Sequence, residues 1–151
     1  QLAGWVNSQQ LIIRIIIYIL VGAIAFGVTM LIDLVVFNTM DFWEGRVSQG
    51  DYLFKQGERE YHVKHEILPE SLLRRSTIVI KDLDGKTLET QVLAENAAGE
   101  IEMSVNGVKK VAVRDIKSLP TAQFFNDRGE LASEKNVLAT MPLNALQFAR
   151  Q

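Results

Sequence analysis

One long apolar stretch and a later series of short alternating segments divide the chain into two parts. From Leu11 to Phe37 the only charged residues are Arg14 and Asp33, and 18 uncharged residues lie between those two. A helix needs about 20 mainly apolar residues to cross the hydrocarbon core of a bilayer. The pattern therefore predicts a transmembrane helix at residues 11–37. The alternatives are a buried core helix, which is rarely this long, and a signal peptide, whose apolar region is usually shorter.

Residues near both ends of this stretch are of types that favour a membrane interface. Trp5 precedes it, and Phe42 and Trp43 follow it; aromatic rings of this kind favour the headgroup region. Arg14 can extend its charge outward along its aliphatic stem. Asp33 lies about one turn from the far end, where a carboxylate costs less than at the bilayer centre. We therefore predict that these five residues lie at the interface. The alternative for Asp33 is that it pairs with a partner subunit inside the membrane.

Small side chains cluster in the middle of the apolar stretch, at Gly22, Ala23 and Gly27. Ala23 and Gly27 are four residues apart, a spacing that lets two helix backbones approach closely. We predict that the three residues pack against another helix. The alternative is the ordinary use of small residues in membrane helices. The glycines also leave open a kinked or re-entrant path in place of a straight span.

Beyond residue 58 the pattern changes to the short alternating segments of β-strands. Asn106-Gly107 is the strongest hairpin signal, because both residues tolerate the positive φ of a type I′ turn. Asp82–Gly85 and Asn126–Gly129 also read as turns. Proline at the first position predicts a short helix at Pro142–Arg150. The predicted strand segments are 60–68, 76–80, 87–94, 100–105 and 108–113.

These patterns predict an α+β fold class. One N-terminal transmembrane helix is followed by a small, mainly-β domain, built as a meander, sandwich or barrel, with a short C-terminal helix. The predicted organisation is a membrane anchor with interfacial flanks at 1–43, a linker at 44–58 and a β-rich soluble domain at 59–151.

Charge and composition argue against several classes of function. The net charge is −2 and the sequence pI is about 5.7, whereas a nucleic-acid partner requires a basic face. The chain has no cysteine, which excludes disulfides, thiolate metal sites and a cysteine nucleophile. No phosphate-loop, dinucleotide or nucleophile-elbow motif is present. A basic pair, Arg74-Arg75, is expected to be solvated.

The candidates for chemistry are weak. His62, His65 and Glu66 are close in sequence, but in a strand His65 lies on the face opposite the other two, so they cannot converge on a metal ion. Surface or cross-strand histidines are the favoured interpretation. Asp82–Gly85 resembles the start of a calcium loop but lacks its later glycine and glutamate. We predict no catalytic residue, no cofactor and no metal.

The segment IDLVVFNTMDFW, residues 32–43, resembles the signature of an uncharacterised family of small bacterial envelope proteins. Members of that family are described as membrane lipoproteins with a domain of unknown function. The resemblance covers the N-terminal third of the chain, and this sequence departs from it in having no lipid-acceptor cysteine. It implies a Gram-negative envelope location with the β domain in the periplasm, and it implies no activity.

The function predicted from these features is that of a non-enzymatic, membrane-anchored envelope protein. It would act as an accessory or scaffolding subunit of a membrane protein assembly. Its predicted partners are the lipid bilayer and other membrane proteins or a second copy of itself. The alternative is a membrane-tethered periplasmic ligand- or peptide-binding module. An enzymatic role would need His62 or His65 to meet an acid between residues 82 and 95.

Overall fold

A computed structural model describes residues 28–29, 31–114 and 121–136. Within these residues the chain forms one antiparallel sheet in which each strand pairs with its neighbours in sequence, in the order β1 to β8. Helix α1 spans Asp33–Trp43 and precedes the sheet. The strands are β1 (Gly50–Gln56), β2 (Arg59–Ile67), β3 (Arg74–Asp82), β4 (Thr87–Glu95), β5 (Ile101–Val105), β6 (Val108–Arg114), β7 (Thr121–Phe125) and β8 (Leu131–Asn136).

Three of the hairpins use the same local device. Asp82, Asn96 and Asn126 each end a strand or follow one directly, and one side-chain oxygen of each accepts the backbone N–H groups of the residues two and four positions later. A glycine three positions on takes the positive φ that completes the loop. The turns predicted at 82–85 and 126–129 are therefore confirmed.

The predicted type I′ hairpin is also confirmed. Asn106 has φ 51° and Gly107 has φ 86°, and the turn joins β5 to β6. Asn106 also ties the turn to β4, because its side-chain oxygen accepts the Thr90 backbone N–H at 2.9 Å and its own N–H donates to the Thr90 carbonyl at 2.8 Å.

Helix α1 packs on one face of the sheet, and the core lies between them. Strand alternation decides which side chains face inward: on β2 these are Tyr61, Val63 and His65. The helix contributes the buried residues Val35, Thr39, Met40, Phe42 and Trp43. On the sheet the buried apolar residues include Ile78, Ile80, Leu93, Ile101, Met103, Val111, Val113 and Ala122.

The predicted fold class is wrong in its helical part. Within the described ranges no helix is long and apolar enough to cross a membrane. The helix found there has 11 residues and begins at Asp33, where the predicted span was ending. Four of its apolar residues, Val35, Met40, Phe42 and Trp43, are buried in the core, whereas Leu34 and Phe37 are exposed. Residues 11–27 of the predicted span lie outside the described residues.

The domain boundaries also differ from the prediction. Strand β1 lies inside the stretch 44–58 that was predicted to be a linker, and α1, assigned to the anchor, belongs to the core of the β domain. Strand β1 could not be recognised from alternation, because Tyr52, Leu53 and Phe54 form a short continuous apolar run between polar residues. The predicted helix at 142–150 lies outside the described residues.

Candidate functional site

Four polar side chains meet between α1 and the first strands of the sheet and form a buried polar chain: Asn38 and Trp43 on α1, His65 on β2 and Ser76 on β3. Trp43 Nε1 lies 2.9 Å from Ser76 Oγ, and Ser76 Oγ lies 2.7 Å from His65 Nδ1. His65 Nε2 lies 2.6 Å from Asn38 Oδ1. His65 and Ser76 are directly opposed in the β2–β3 register.

The direction of each hydrogen bond follows from the chemistry of the end groups. The Trp43 indole N–H is only a donor, so Ser76 Oγ accepts it. Asn38 Oδ1 is only an acceptor, so His65 Nε2 carries the proton. In a neutral ring Nδ1 then has a free lone pair, to which the Ser76 hydroxyl donates. Every one of these groups is matched when His65 is neutral.

Electrostatics favour the same neutral form. Burial lowers the pKa of His65 to about 4, because an imidazolium would lose its hydration there. Phe42 stacks on the imidazole with ring centroids 4.5 Å apart and planes 9° apart. Tyr52 also contacts it, at 5.4 Å. Neither ring offers a charge that would stabilise the protonated form.

The order Ser76, His65, Asn38 is that of a nucleophile, a base and a residue that orients the base. Ser76 is 0% exposed and His65 is 1% exposed. A nucleophile needs room for a reacting atom about 3 Å away, next to groups that stabilise the developing charge. Trp43 and the surrounding core occupy that space, so in this structure the buried polar chain holds the helix on the sheet.

Arg74 contacts the C-terminal end of α1, beside the buried polar chain. It makes a bidentate pair with Glu95, at 2.8 Å from Nε and 3.0 Å from Nη2, and its Nη1 donates to the Trp43 carbonyl. Its guanidinium lies 4.9 Å from the centroid of the Trp43 ring. A cation at a helix C-terminus is favourable, and hydrogen bonding from Arg74 lowers the pKa of Glu95. Arg74 was expected to be solvated; its side chain is 26% exposed and makes these defined contacts.

A second polar cluster ties the residues before α1 to strand β4. The Glu89 carboxylate accepts hydrogen bonds from the Thr29 backbone N–H at 3.0 Å, the Thr29 hydroxyl at 3.1 Å and the Gln91 amide at 2.7 Å. The same Gln91 amide donates to the Thr29 carbonyl at 2.9 Å. Glu89 and Gln91 are both buried. The cluster therefore fixes the entry of the chain into the core.

The interface residues predicted from the sequence do not form one site. Asp33 is exposed and is the first residue of α1. At this position a negative charge interacts favourably with the helix dipole. Phe42 and Trp43 are 3% and 1% exposed; their rings fill the core beside His65, in place of the headgroup surroundings expected of them. Five predicted residues lie outside the described part of the chain: Trp5, Arg14, Gly22, Ala23 and Gly27.

Metal ligation finds no support in the described ranges, where no group of three or more His, Asp or Glu side chains is placed to hold an ion. His62 lies on the outer face of the sheet and pairs with Glu60 at 3.1 Å. The Asp82–Gly85 segment is a hairpin turn.

The buried polar chain was missed by sequence reasoning, although part of its signal was visible. His65 has the strand parity of Tyr61 and Val63, and Ser76 has the parity of Ile78 in a β-branched run. A polar residue at a buried strand position predicts a polar partner. The partners on α1 could not be assigned because that segment was interpreted as membrane-embedded.

In the residues that the structure describes, the fold and site define an antiparallel β-meander domain with helix α1 held on its inner face by polar contacts. The chain belongs to the family of the domain of unknown function DUF3332, whose model matches residues 4–138. The expectation of an uncharacterised family is confirmed at that level; the match assigns no location. No match was found among curated proteins or among solved structures.

Proposed function

We propose that this chain is a non-enzymatic accessory protein that acts by binding other proteins in the bacterial envelope. The observation that carries the proposal is the position of the reactive side chains. The buried polar chain has the composition of a catalytic site, but its serine and histidine lie in the core and hold α1 in place. Such an arrangement stabilises the fold, so we attribute the function to contacts made by the exposed surface.

The exposed surface has features suited to binding. Strands β1 and β8 end the sheet, and each has one strand as its neighbour in the described part of the chain. Each of these edge strands carries an exposed leucine, Leu53 at 53% and Leu131 at 56%. Leu34 on the outward side of α1 is 61% exposed. Apolar side chains beside free strand edges support contacts with other proteins.

The proposed envelope location rests on the family resemblance of residues 32–43. Cell fractionation with a periplasmic and a cytoplasmic marker tests it. Recovery of the native chain with the cytoplasmic marker alone would remove the location from the proposal and leave the binding role to its own test.

Site-specific photo-crosslinking in cells tests the binding role. The photoreactive residue is placed at Leu34, Leu53 or Leu131, one position in each variant, with the exposed turn residue Leu83 as the control. We expect a discrete adduct with a defined protein from one surface and none from Leu83. Absence of adducts at all three surfaces would contradict the proposal.

A serine-reactive probe tests the non-enzymatic half of the proposal. In the folded chain Ser76 is expected to remain unlabelled, because no probe reaches a side chain that is 0% exposed. Labelling of the native protein that disappears in the Ser76→Ala variant would show an accessible nucleophile. That result would replace the accessory role with a hydrolytic one.

A ligand-binding module is the second candidate, and one observation favours it. The outer face of β1–β3 has an open depression of about 320 Å³, with Leu53 and Val79 among its apolar lining and Asp51 and Lys64 at its polar side. This volume is in the range of small-molecule sites. A hydrophobic fluorescent dye that binds the native chain, and no longer binds the Val79→Glu variant, would support this candidate over the accessory role.

A further inference from the structure

Among the residues that the structure describes, strand β1 is an edge strand of the sheet. It pairs with β2 along all seven residues, Gly50–Gln56, and in the described residues no other backbone segment bonds to its opposite side. Asp51, Leu53 and Lys55 are exposed on the outer face, while Tyr52 and Phe54 are half-buried against the core. An edge of this kind is a template for a further strand.

The sequence of β1 is self-complementary about Leu53. When two antiparallel copies of one strand are related by a two-fold axis, the numbers of directly opposed residues have a constant sum. An axis at Leu53 sets Asp51 opposite Lys55 of the other copy, Tyr52 opposite Phe54, and Leu53 opposite itself. Opposed residues of an antiparallel pair point to the same face. Acids thus meet bases on the outer face, and aromatic rings meet on the inner face.

The charges already paired within the chain extend this match. Within the chain Asp51 lies opposite Lys64, and Lys55 lies opposite Glu60, with Lys55 Nζ 3.4 Å from a Glu60 carboxylate oxygen. Joining two copies at Leu53 gives the row Lys64, Asp51, then Lys55 and Glu60 of the second copy. Positive and negative side chains alternate across all four strands of this row.

We propose that the free edge of β1 binds β1 of a second copy of this chain, antiparallel, with a two-fold axis at Leu53. The result is one sheet continuous through two chains, in which the exposed Leu53 side chains cover each other. The proposal goes beyond the accessory role, since the dimer forms from purified chain alone, and its failure leaves the binding of other proteins untouched.

Other registers and other occupants are less well matched. Charged residues on an edge strand normally oppose pairing unless an opposite charge faces them. Moving the axis to Tyr52 sets Leu53 opposite Asp51, and moving it to Phe54 sets Leu53 opposite Lys55, so these registers leave a charge facing an apolar side chain. The axis at Leu53 is also the midpoint of the strand, so all seven residues pair. The second edge strand, β8, carries its acid and base at adjacent positions, which no two-fold register sets opposite each other.

Disulfide cross-linking of the full chain tests the register, because the native sequence has no cysteine and each introduced one is unique. Directly opposed Cα atoms lie about 4.5–5.5 Å apart, within disulfide range. Leu53→Cys is expected to form a covalent dimer under mild oxidation. Asp51→Cys and Lys55→Cys are each expected not to self-link, because the two copies of either position lie about 13 Å apart along the strands. A mixture of those two variants is expected to cross-link.

Charge reversal in the Leu53→Cys background tests the complementarity. Asp51→Lys or Lys55→Asp alone is expected to slow cross-linking at least about fivefold, because both intermolecular contacts become repulsive. The two substitutions together are expected to restore the rate to within about twofold. Within the chain the double variant faces like charges at Lys64 and Glu60, so its melting temperature is expected to fall while cross-linking recovers. A loss of stability therefore cannot explain the pattern.

Several results would overturn the proposal. Cross-linking at Leu53→Cys no faster than at Leu83→Cys, in an exposed turn, would show random collision. Self-linking at Asp51→Cys would show another register. Rapid linking of Leu53→Cys with Ser133→Cys would show β1 pairing with β8. Failure of the double charge variant to recover, or capture of the edge in cells by a different protein, would also contradict a β1–β1 dimer.

Discussion

Strand β2 carries both histidines of the chain, and its two faces give them opposite surroundings. His65 faces α1, is 1% exposed, and has a defined hydrogen-bond partner for each ring nitrogen. His62 faces outward, with a side chain that is 39% exposed and paired with Glu60. Because His62 and His65 are three positions apart on one strand, they lie on opposite faces of the sheet. The histidine on the inner face contributes to packing, and the one on the outer face is exposed to solvent.

The energetic consequences of the two faces differ for the same reason. On the inner face a lost partner leaves a buried polar group unpaired, which costs about 1–3 kcal/mol for each group. On the outer face water replaces the lost partner, and exposed ion pairs contribute about 0–1 kcal/mol. Substitutions on the two faces therefore have effects of different size, and their ranking tests the comparison.

The largest effect is expected for Trp43→Ala. The substitution removes a ring that is 1% exposed, leaves the Ser76 hydroxyl without its donor and removes the stacking surface of Arg74. We expect the free energy of unfolding to fall by about 3–5 kcal/mol, measured by denaturant unfolding. Leu34→Ala, on the exposed side of the same helix, is the control and is expected to change it by less than about 0.5 kcal/mol. Equal effects of the two substitutions would contradict the packing of α1.

The next effect is on the pH dependence of stability. In the folded chain the pKa of His65 is lowered to about 4, whereas an unfolded histidine has a pKa of about 6.5. The unfolded state therefore binds a proton first as the pH falls. The stabilising contribution of neutral His65 to the free energy of unfolding is therefore complete above pH 6.5. About 3 kcal/mol of it is lost as the pH falls to 4.

Denaturant unfolding of the native chain and of a His65→Gln variant, across that pH range, isolates this loss. The variant is expected to be less stable at pH 7 and to lose less of its stability on acidification. His62→Gln serves as the matched control and is expected to keep the acid sensitivity of the native chain. If both variants retain the same pH profile, His65 is not the group responsible.

A smaller effect is expected for Arg74→Met, which keeps the stem over Trp43 and removes the charge. It breaks the bidentate contact with Glu95 and the bond to the carbonyl at the end of α1. We expect a loss of about 1–2 kcal/mol, smaller than that for Trp43→Ala because the pair is partly exposed. In a double-mutant cycle, the double variant Arg74→Met/Glu95→Gln is expected to lose less free energy of unfolding than the sum of the losses of the two single variants. Strict additivity would show that the pair does not act as a unit.

The smallest effect is expected for His62→Ala on the outer face. Its partner Glu60 keeps Lys55 as a neighbour and remains open to water. The unfolding free energy is expected to change by less than about 0.5 kcal/mol. A loss comparable to that of Arg74→Met would mean that the outer face contributes more to stability than the comparison allows.

Much of the sheet could be predicted from the sequence because alternation and turn residues agree there. Five of the strands and the Asn106-Gly107 turn follow from local signals that the tertiary structure does not override. Strand β1 lacks such a signal. The first part of β7 contains Ala122 and Gln123, and β8 is mostly polar, so neither shows the apolar alternation that reveals a strand.

The helix and the site could not be predicted for a different reason. The composition of an apolar segment such as residues 32–43 is compatible with a lipid bilayer and with the inner face of a sheet. Composition alone does not distinguish these two environments for such a segment. Its polar residues Asn38 and Thr39 face the protein, but that is known only once His65 and the sheet are in place. The hydrogen bonds of the site join Asn38 to His65, which are 27 positions apart, and Trp43 to Ser76, which are 33 positions apart. No local sequence pattern contains pairings over such distances.

A neutral His65, protonated at Nε2, links α1 to the sheet through hydrogen bonds to Asn38 and Ser76. Nitrogen-15 NMR of the imidazole in the folded chain tests this most directly. We expect a protonated Nε2, an unprotonated Nδ1 and nitrogen shifts that do not change between pH 8 and about 5, together with a slowly exchanging Trp43 indole proton. A ring that carries its proton on Nδ1, or that titrates near pH 6.5 as an exposed histidine does, would contradict it.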